Sequence, residues 1–200
     1  MAESNEYGVL IMTRPDYLIL VNRTHPVPED WANHIQLEEI ETKNGPALME
    51  SETLVSFRRL QDALRSDRVI LGVTRAYCSV SRQRELLEEM TKEEGAKWAE
   101  RHVAPPGCSE HHTGLAVDVW LDFIAEDLPH ADEFPDGYLH SVLCRHLSSC
   151  GFILRYPEGK SAITGYDPES WHIRYTGMPH SIIMEKEHLV LEEYLQVYKH

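Results

Sequence analysis

Residues 115–121 read Leu-Ala-Val-Asp-Val-Trp-Leu and follow directly on Gly114, so that one carboxylate, Asp118, stands inside an otherwise apolar run. A short apolar run bounded by a turn residue reads as a buried strand. Side chains alternate between the two faces of a strand, which puts Leu115, Val117 and Val119 on one face and Ala116, Asp118 and Trp120 on the other. A buried carboxylate must be hydrogen-bonded or paired to offset its lost hydration. The fold must therefore bring a partner to Asp118. Backbone N–H groups would serve, as would His111 or His112, which the Gly114 turn carries back toward the strand.

The rest of the chain surrounds this strand with short elements of both kinds. Residues 17–22 read as a first strand, and the Asn44-Gly45 pair predicts a hairpin between residues 37 and 49. Leu54, Val55, Phe57, Leu60 and Leu64 recur at helical spacing, predicting an amphipathic helix over 51–66 with Ser51 as its cap. A buried strand is expected over 69–73. A helical stretch follows over 79–100, broken at Gly95. Further along come a helix over 140–149 closed by Gly151, a strand over 152–156 entering a turn at 157–160, a strand over 171–175 and a last helix over 186–198. Without regular alternation of strand, helix and strand, the expected class is α+β. One domain over 1–200 is expected, with a mainly antiparallel sheet flanked by helices. A chain of 200 residues buries roughly 70% of its unfolded surface, so it needs neither disulfide nor metal merely to fold.

Charge and composition narrow the function classes. With 33 acidic against 19 basic side chains, a formal charge of −14 and no Lys/Arg stripe, nucleic acid is excluded as an expected partner. The apolar stretch 17–21 is too short to span a membrane, and residues 1–5 do not open a signal peptide. The expectation is a cytoplasmic protein, with an exported or membrane-anchored protein lacking its leader as the alternative. Cys78, Cys108, Cys144 and Cys150 form no C-x-x-C pair and are expected to be reduced. Any metal must rest on histidine and carboxylate.

Near the C-terminus, in Asp-Pro-Glu-Ser-Trp-His, Glu169 stands three residues before His172. Catalytic zinc takes three protein ligands from His, Asp or Glu and keeps a fourth position open. His111, Asp118 and His172 would supply such a set. Glu169 would then be free to take the proton from a water molecule attacking a carbonyl.

The segments SRQRELLEE, PPGCSEHHTGLAVDVWL, GFILRYPEGKSAITGYDPESWHIRYTGMPHS and LEEYL, in this order, resemble the VanY-type D,D-carboxypeptidases and the VanXY-type dipeptidase/carboxypeptidases. The likeness runs from about residue 17 to the C-terminus and rests on an S-x-H-x(6)-D element followed by E-x-W-H. It implies zinc on His111, Asp118 and His172 with Glu169 as general base, the α+β fold shared with the Hedgehog amino-terminal domain, and release of a terminal D-Ala from a small D-amino-acid peptide. Gln83 and Ser109 match positions that help hold the substrate carboxylate. One position departs from the pattern. Cys78 stands where an arginine is expected to stabilise the oxyanion, so either Arg75, Arg82 or Arg155 substitutes or the activity is altered. If no cation substitutes, Cys78→Arg should raise kcat.

Other marked residues take simpler roles. His112 is expected to be a polar neighbour rather than a fourth ligand, Trp171 and Tyr175 to pack around the site, and the remaining histidines, His102 among them, to sit on surfaces or helix ends. The acidic stretch 126–136 is expected to be a solvated loop or to border the site. Free D-Ala-D-Ala, pentapeptide termini and L,D-linked tetrapeptides all suit these catalytic groups. A reading of another class, a zinc-containing module that binds wall peptides or a protein partner, draws its weight from Cys78, whereas Glu169 counts against it.

Overall fold

The computed structural model describes residues 15–124 and 137–198, with the backbone of the two-residue strands β1 (Glu3–Ser4) and β2 (Leu10–Ile11), which pair antiparallel. The acidic stretch 126–136 lies outside the described residues. The architecture is α+β with antiparallel sheets, as the sequence predicts.

The hairpin forms from β3 (Leu37–Thr42) and β4 (Gly45–Glu50), with Thr42 opposite Gly45. Its two-residue loop is Lys43-Asn44 rather than Asn44-Gly45. Gly45, at φ 98°, takes the left-handed conformation that lets β4 begin. Helix α1 (Ser51–Ser66) has the expected span, but its cap is Glu50, whose side chain accepts from the Thr53 N–H at 2.8 Å. Ser51 is the first helical residue.

The main sheet has the order β5-β6-β8-β7, from β5 (Val69–Arg75), β6 (Ala116–Phe123), β7 (Phe152–Tyr156) and β8 (Glu169–Tyr175), all antiparallel. Val69, Leu71 and Val73 of β5, Leu115, Val117, Val119 and Leu121, and Ile173 on β8 bury one face together with Phe57, Leu60 and Leu64 of α1, and with Val142 and Leu143 of α4 (Tyr138–Leu147). Each such side chain contributes ~1.5–3 kcal/mol on burial. The other face carries Asp118 and His172, directly opposite each other in the ladder. On that face Trp120 lies over Gly72, where a Cβ would come within 2.1 Å of the indole.

Helices α2 (Val80–Glu93) and α3 (Ala96–His102) are the two pieces of the expected helical stretch 79–100, broken at Gly95 as expected, and Ser79 caps α2. Helix α5 (Ser161–Thr164) precedes β8. The expected last helix is two helices, α6 (His180–Glu187) and α7 (Leu191–Tyr198), because His188 adopts the left-handed conformation at φ 55°.

Residues 17–22 are not a strand: no ladder includes them, and only Asn22 bridges to His25. Their carbonyls serve another group. Arg174 donates from Nη2 to Tyr17 O at 3.1 Å and Ile19 O at 2.8 Å, tying the segment across the sheet. No described helix is long and apolar enough to cross a membrane, and all four cysteines are free.

Candidate metal centre and active site

Asp118 and His172 meet because they are opposite each other on adjacent strands, where paired side chains share a face and lie ~5 Å apart at Cβ. His111 arrives from a 3-10 turn, Glu110–Thr113, that ends in Gly114 at φ 73°. A Cβ at Gly114 would sit 3.2 Å from Glu50 N and Cβ, so the glycine docks the turn against the start of α1.

The donor atoms converge. Asp118 Oδ2 lies 3.2 Å from His111 Nε2 and Asp118 Oδ1 lies 3.0 Å from His172 Nδ1. One ligand atom from each of the three residues falls within 4.8 Å of the others. Asp118 Oδ1 is buried and forms no hydrogen bond despite its close neighbour, the relation expected of two donors aimed at one cation. The opposite ring nitrogens each face an oxygen away from the cluster, His111 Nδ1 within hydrogen-bond distance and His172 Nε2 at a longer ion-pair separation. His111 Nδ1 lies 2.8 Å from Ala76 O, which leaves the Nε2 lone pair for the site, and His172 Nε2 faces Glu110 Oε2 at 3.5 Å, which leaves Nδ1. Two imidazoles and a carboxylate oriented in this way fit zinc.

Electrostatics separate the two rings. Burial holds the His111 pKa down at about 4, keeping a neutral ring with a free lone pair. Burial also pushes His172 down, but the Asp118 and Glu110 carboxylates overcome it and raise the ring to about 9. Asp118 is held below its ordinary range: burial would raise it, and the contacts to His111 and His172 outweigh that effect. Burial raises Glu169, whose Oε2 stands 3.5 Å from His172 Nδ1. A carboxylate of raised basicity next to the donor cluster suits proton transfer.

Behind the cluster lies a buried ionic network that sequence reasoning missed. Glu110 Oε1 accepts from Arg155 Nε at 2.7 Å and Arg174 Nη1 at 2.9 Å, and Arg155 also binds Glu192 in a fork at 2.7 and 2.9 Å. Burial opposes the charge on Glu110, yet the two arginines keep it ionised. A carboxylate flanked by histidines in Ser-Glu-His-His was the one available signal; nothing local marked Arg174.

A pocket of about 350 Å³ opens over the cluster, lined among others by Arg75, Gln83, Ser109, Tyr156, Trp171 and Glu169. Ser109 caps the 3-10 turn, accepting from His111 N at 3.4 Å. Gln83 is buried, with Nε2 donating to Ala104 O at 2.8 Å and Oε1 accepting from Arg75. His112 is fully committed: Nδ1 lies 2.6 Å from Cys78 O and Nε2 accepts from Gly107 N at 3.1 Å. Trp171 borders the pocket, whereas Tyr175 sits in the core against Tyr17 and Phe152. His102 is exposed at the end of α3, as expected, and there stacks on Trp98 at the pocket wall, with ring centroids 4.3 Å apart. Of the candidate cations, Arg155 is spent in the buried network and Arg82 on Glu85 and Glu89 at the surface. Arg75 faces the pocket.

The model of the VanY D-alanyl-D-alanine carboxypeptidase family matches residues 46–178. The chain belongs to this family. It is 35% identical over 178 residues to the bifunctional D-Ala-D-Ala dipeptidase and carboxypeptidase VanXYC of Enterococcus gallinarum, covering 88% of this chain and 92% of that one. The solved structure of VanYB in complex with D-Ala-D-Ala superposes with a TM-score of 0.73 at 32% identity, covering 91% of this chain and 98% of the other. A mutant of the VanY D,D-pentapeptidase from the VanB-type resistance cassette, solved in complex with Zn(II), gives 0.68 at 32% identity over 90% and 98% of the two chains. Cys78, where the sequence resemblance leads one to expect an arginine, lies beside the pocket: its thiol is buried, 3.7 Å from Gln83 Oε1.

Proposed function

We propose that the protein is a zinc D-alanyl-D-alanine peptidase that hydrolyses the terminal D-Ala from D-Ala-D-Ala or from peptidoglycan stem peptides. The observation that carries this is the convergence of His111 Nε2, Asp118 and His172 Nδ1 beneath a pocket into which Glu169 also points. These three residues hold the metal, and Glu169 is the base. When bound, zinc polarises the scissile carbonyl and lowers the pKa of a water molecule toward ~7.

The chain's own groups do the rest. Glu169 takes a proton from the attacking water and later returns it to the departing D-Ala nitrogen. Ser109 and Gln83 line the same pocket, and the substrate carboxylate is assigned to them. Trp98 and Trp171 wall the cleft.

Zinc-loaded protein incubated with D-Ala-D-Ala and with a D-Ala-D-Ala-terminated pentapeptide is expected to release D-Ala from at least one. Absence of release from both, at full zinc occupancy, refutes the reading.

A further inference from the structure

Strand β5 contains an irregularity that changes the direction of one side chain. Val73 lies opposite Val119, but Arg75 lies opposite Asp118, so Thr74 is an extra residue in the ladder. In an unbroken strand Arg75 would fall on the same face as Val69, Leu71 and Val73, the face that packs on α1. The bulge puts it on the face of Asp118, because residues directly opposite share a face. Thr74 Oγ1 donates to the Asp118 carbonyl at 3.0 Å, which fixes the bulge at the ligand-bearing position.

The arginine so placed is half-buried, lines the pocket and has no carboxylate partner among the described residues. This is unusual in a chain of charge −14, where the fully buried Arg155 is tied to two glutamates. Its one hydrogen bond there is from Nη2 to Gln83 Oε1, the atom toward which the Cys78 thiol also points. The guanidinium therefore arrives next to position 78 from a different point on the chain.

We propose that Arg75, turned into the pocket by the Thr74 bulge, is the catalytic residue that stabilises the oxyanion, taking the place left by the thiol at Cys78. This rests on the peptidase reading of the pocket. In the step concerned, the water oxygen bonds to the carbonyl carbon, Glu169 accepts the water proton, and the carbonyl π pair moves onto oxygen, where Arg75 donates to it. Collapse restores the C=O, breaks the C–N bond and passes the proton from Glu169 to the amine of D-Ala. A fixed cation is worth most there, because the charge it meets exists only in the transition state and the intermediate.

The test uses zinc-loaded parent, Arg75→Ala, Arg75→Gln and Cys78→Arg proteins with zinc content measured on each. Arg75→Gln keeps a polar side chain near Gln83 should Arg75→Ala fold poorly. Both Arg75 variants are expected to bind zinc as the parent does, to lose ~10²–10³ in kcat for D-Ala release and to change KM little. Calorimetric affinity for a phosphinate analogue of D-Ala-D-Ala should fall by a similar factor. Cys78→Arg should leave kcat level or lower it, since the charge is already supplied. Undiminished kcat and phosphinate affinity in the Arg75 variants overturn the proposal. So does a raised KM at constant kcat, which would assign Arg75 to the substrate carboxylate, and so does a large gain from Cys78→Arg. Failure of the parent itself to release D-Ala overturns the peptidase reading, whereas release undiminished by the Arg75 variants overturns only the role of Arg75.

Discussion

The two faces of strand β6 carry residues one position apart and obey different rules. On one face Val117 and Val119 are fully or almost fully buried among aliphatic neighbours, and nothing about them demands a particular partner. On the other, Asp118 is held by two histidines, and the turn bearing one of them also bears Glu110, which is locked to two arginines. Apolar packing is non-directional and forgiving of shape changes that conserve volume. A buried ionic cluster is not, since removing one member leaves its partners unpaired. Stability therefore rests on the apolar face and chemistry on the polar face, with Glu110 the point where the two are hardest to separate.

The contrast can be broken first at the metal. His172→Ala should reduce bound zinc, measured by metal analysis, and take D-Ala release to background; zinc and turnover both retained would remove His172 from the site. Glu169→Gln should hold its zinc and lose ~10²–10⁴ in rate. Full activity in that variant would mean another base. Glu110→Gln probes the join between the faces. Because it leaves Arg155 and Arg174 buried with one charge fewer, urea unfolding should show a loss of ~3–5 kcal/mol, and a loss below 1 kcal/mol would show that the network is not a structural unit. Gly72→Ala forces the Trp120 indole aside and should cost ~1–3 kcal/mol in the same assay. The mildest change is Ile173→Val on the apolar face: ~0.5–1.5 kcal/mol of stability, with kcat per folded molecule unaltered. A fall in kcat there would show that the faces are coupled.

Much of this was legible because periodicity and ligand spacing are local. The alternation around Asp118 correctly assigned its face, the apolar spacing of 51–66 correctly bounded α1, and Gly95 correctly divided the helical stretch. What escaped the sequence depended on distant partners. Residues 17–22 have strand-like composition, but Arg174 claims their carbonyls. Glu50 outcompetes Ser51 as a cap because it is buried at the hairpin end. The helix break at His188 has no glycine or proline to announce it. Within the site, Arg75 was one of three possible cations; the glutamates that occupy Arg82 and Arg155 and the ladder register that turns Arg75 distinguish it, and neither distant pairing nor an extra residue in a strand leaves a mark on composition.

The interior position of β8 also sets an order of events during synthesis. Its partner β6 is complete at Phe123, yet β8 arrives only with Glu169–Tyr175, after the outer strand β7 has already been made. At translation speeds of ~5–20 residues per second, β6 waits on the order of seconds with one edge unpaired and with Asp118 lacking His172, one of its two histidines. The segment at Tyr17 waits longer, for an arginine 157 positions later. Contacts so distant along the chain slow folding. The donor cluster is thus among the last parts of the molecule to close, and a nascent chain cut short before residue 172 carries the residues of β5 and β6 but nothing with which to complete the site.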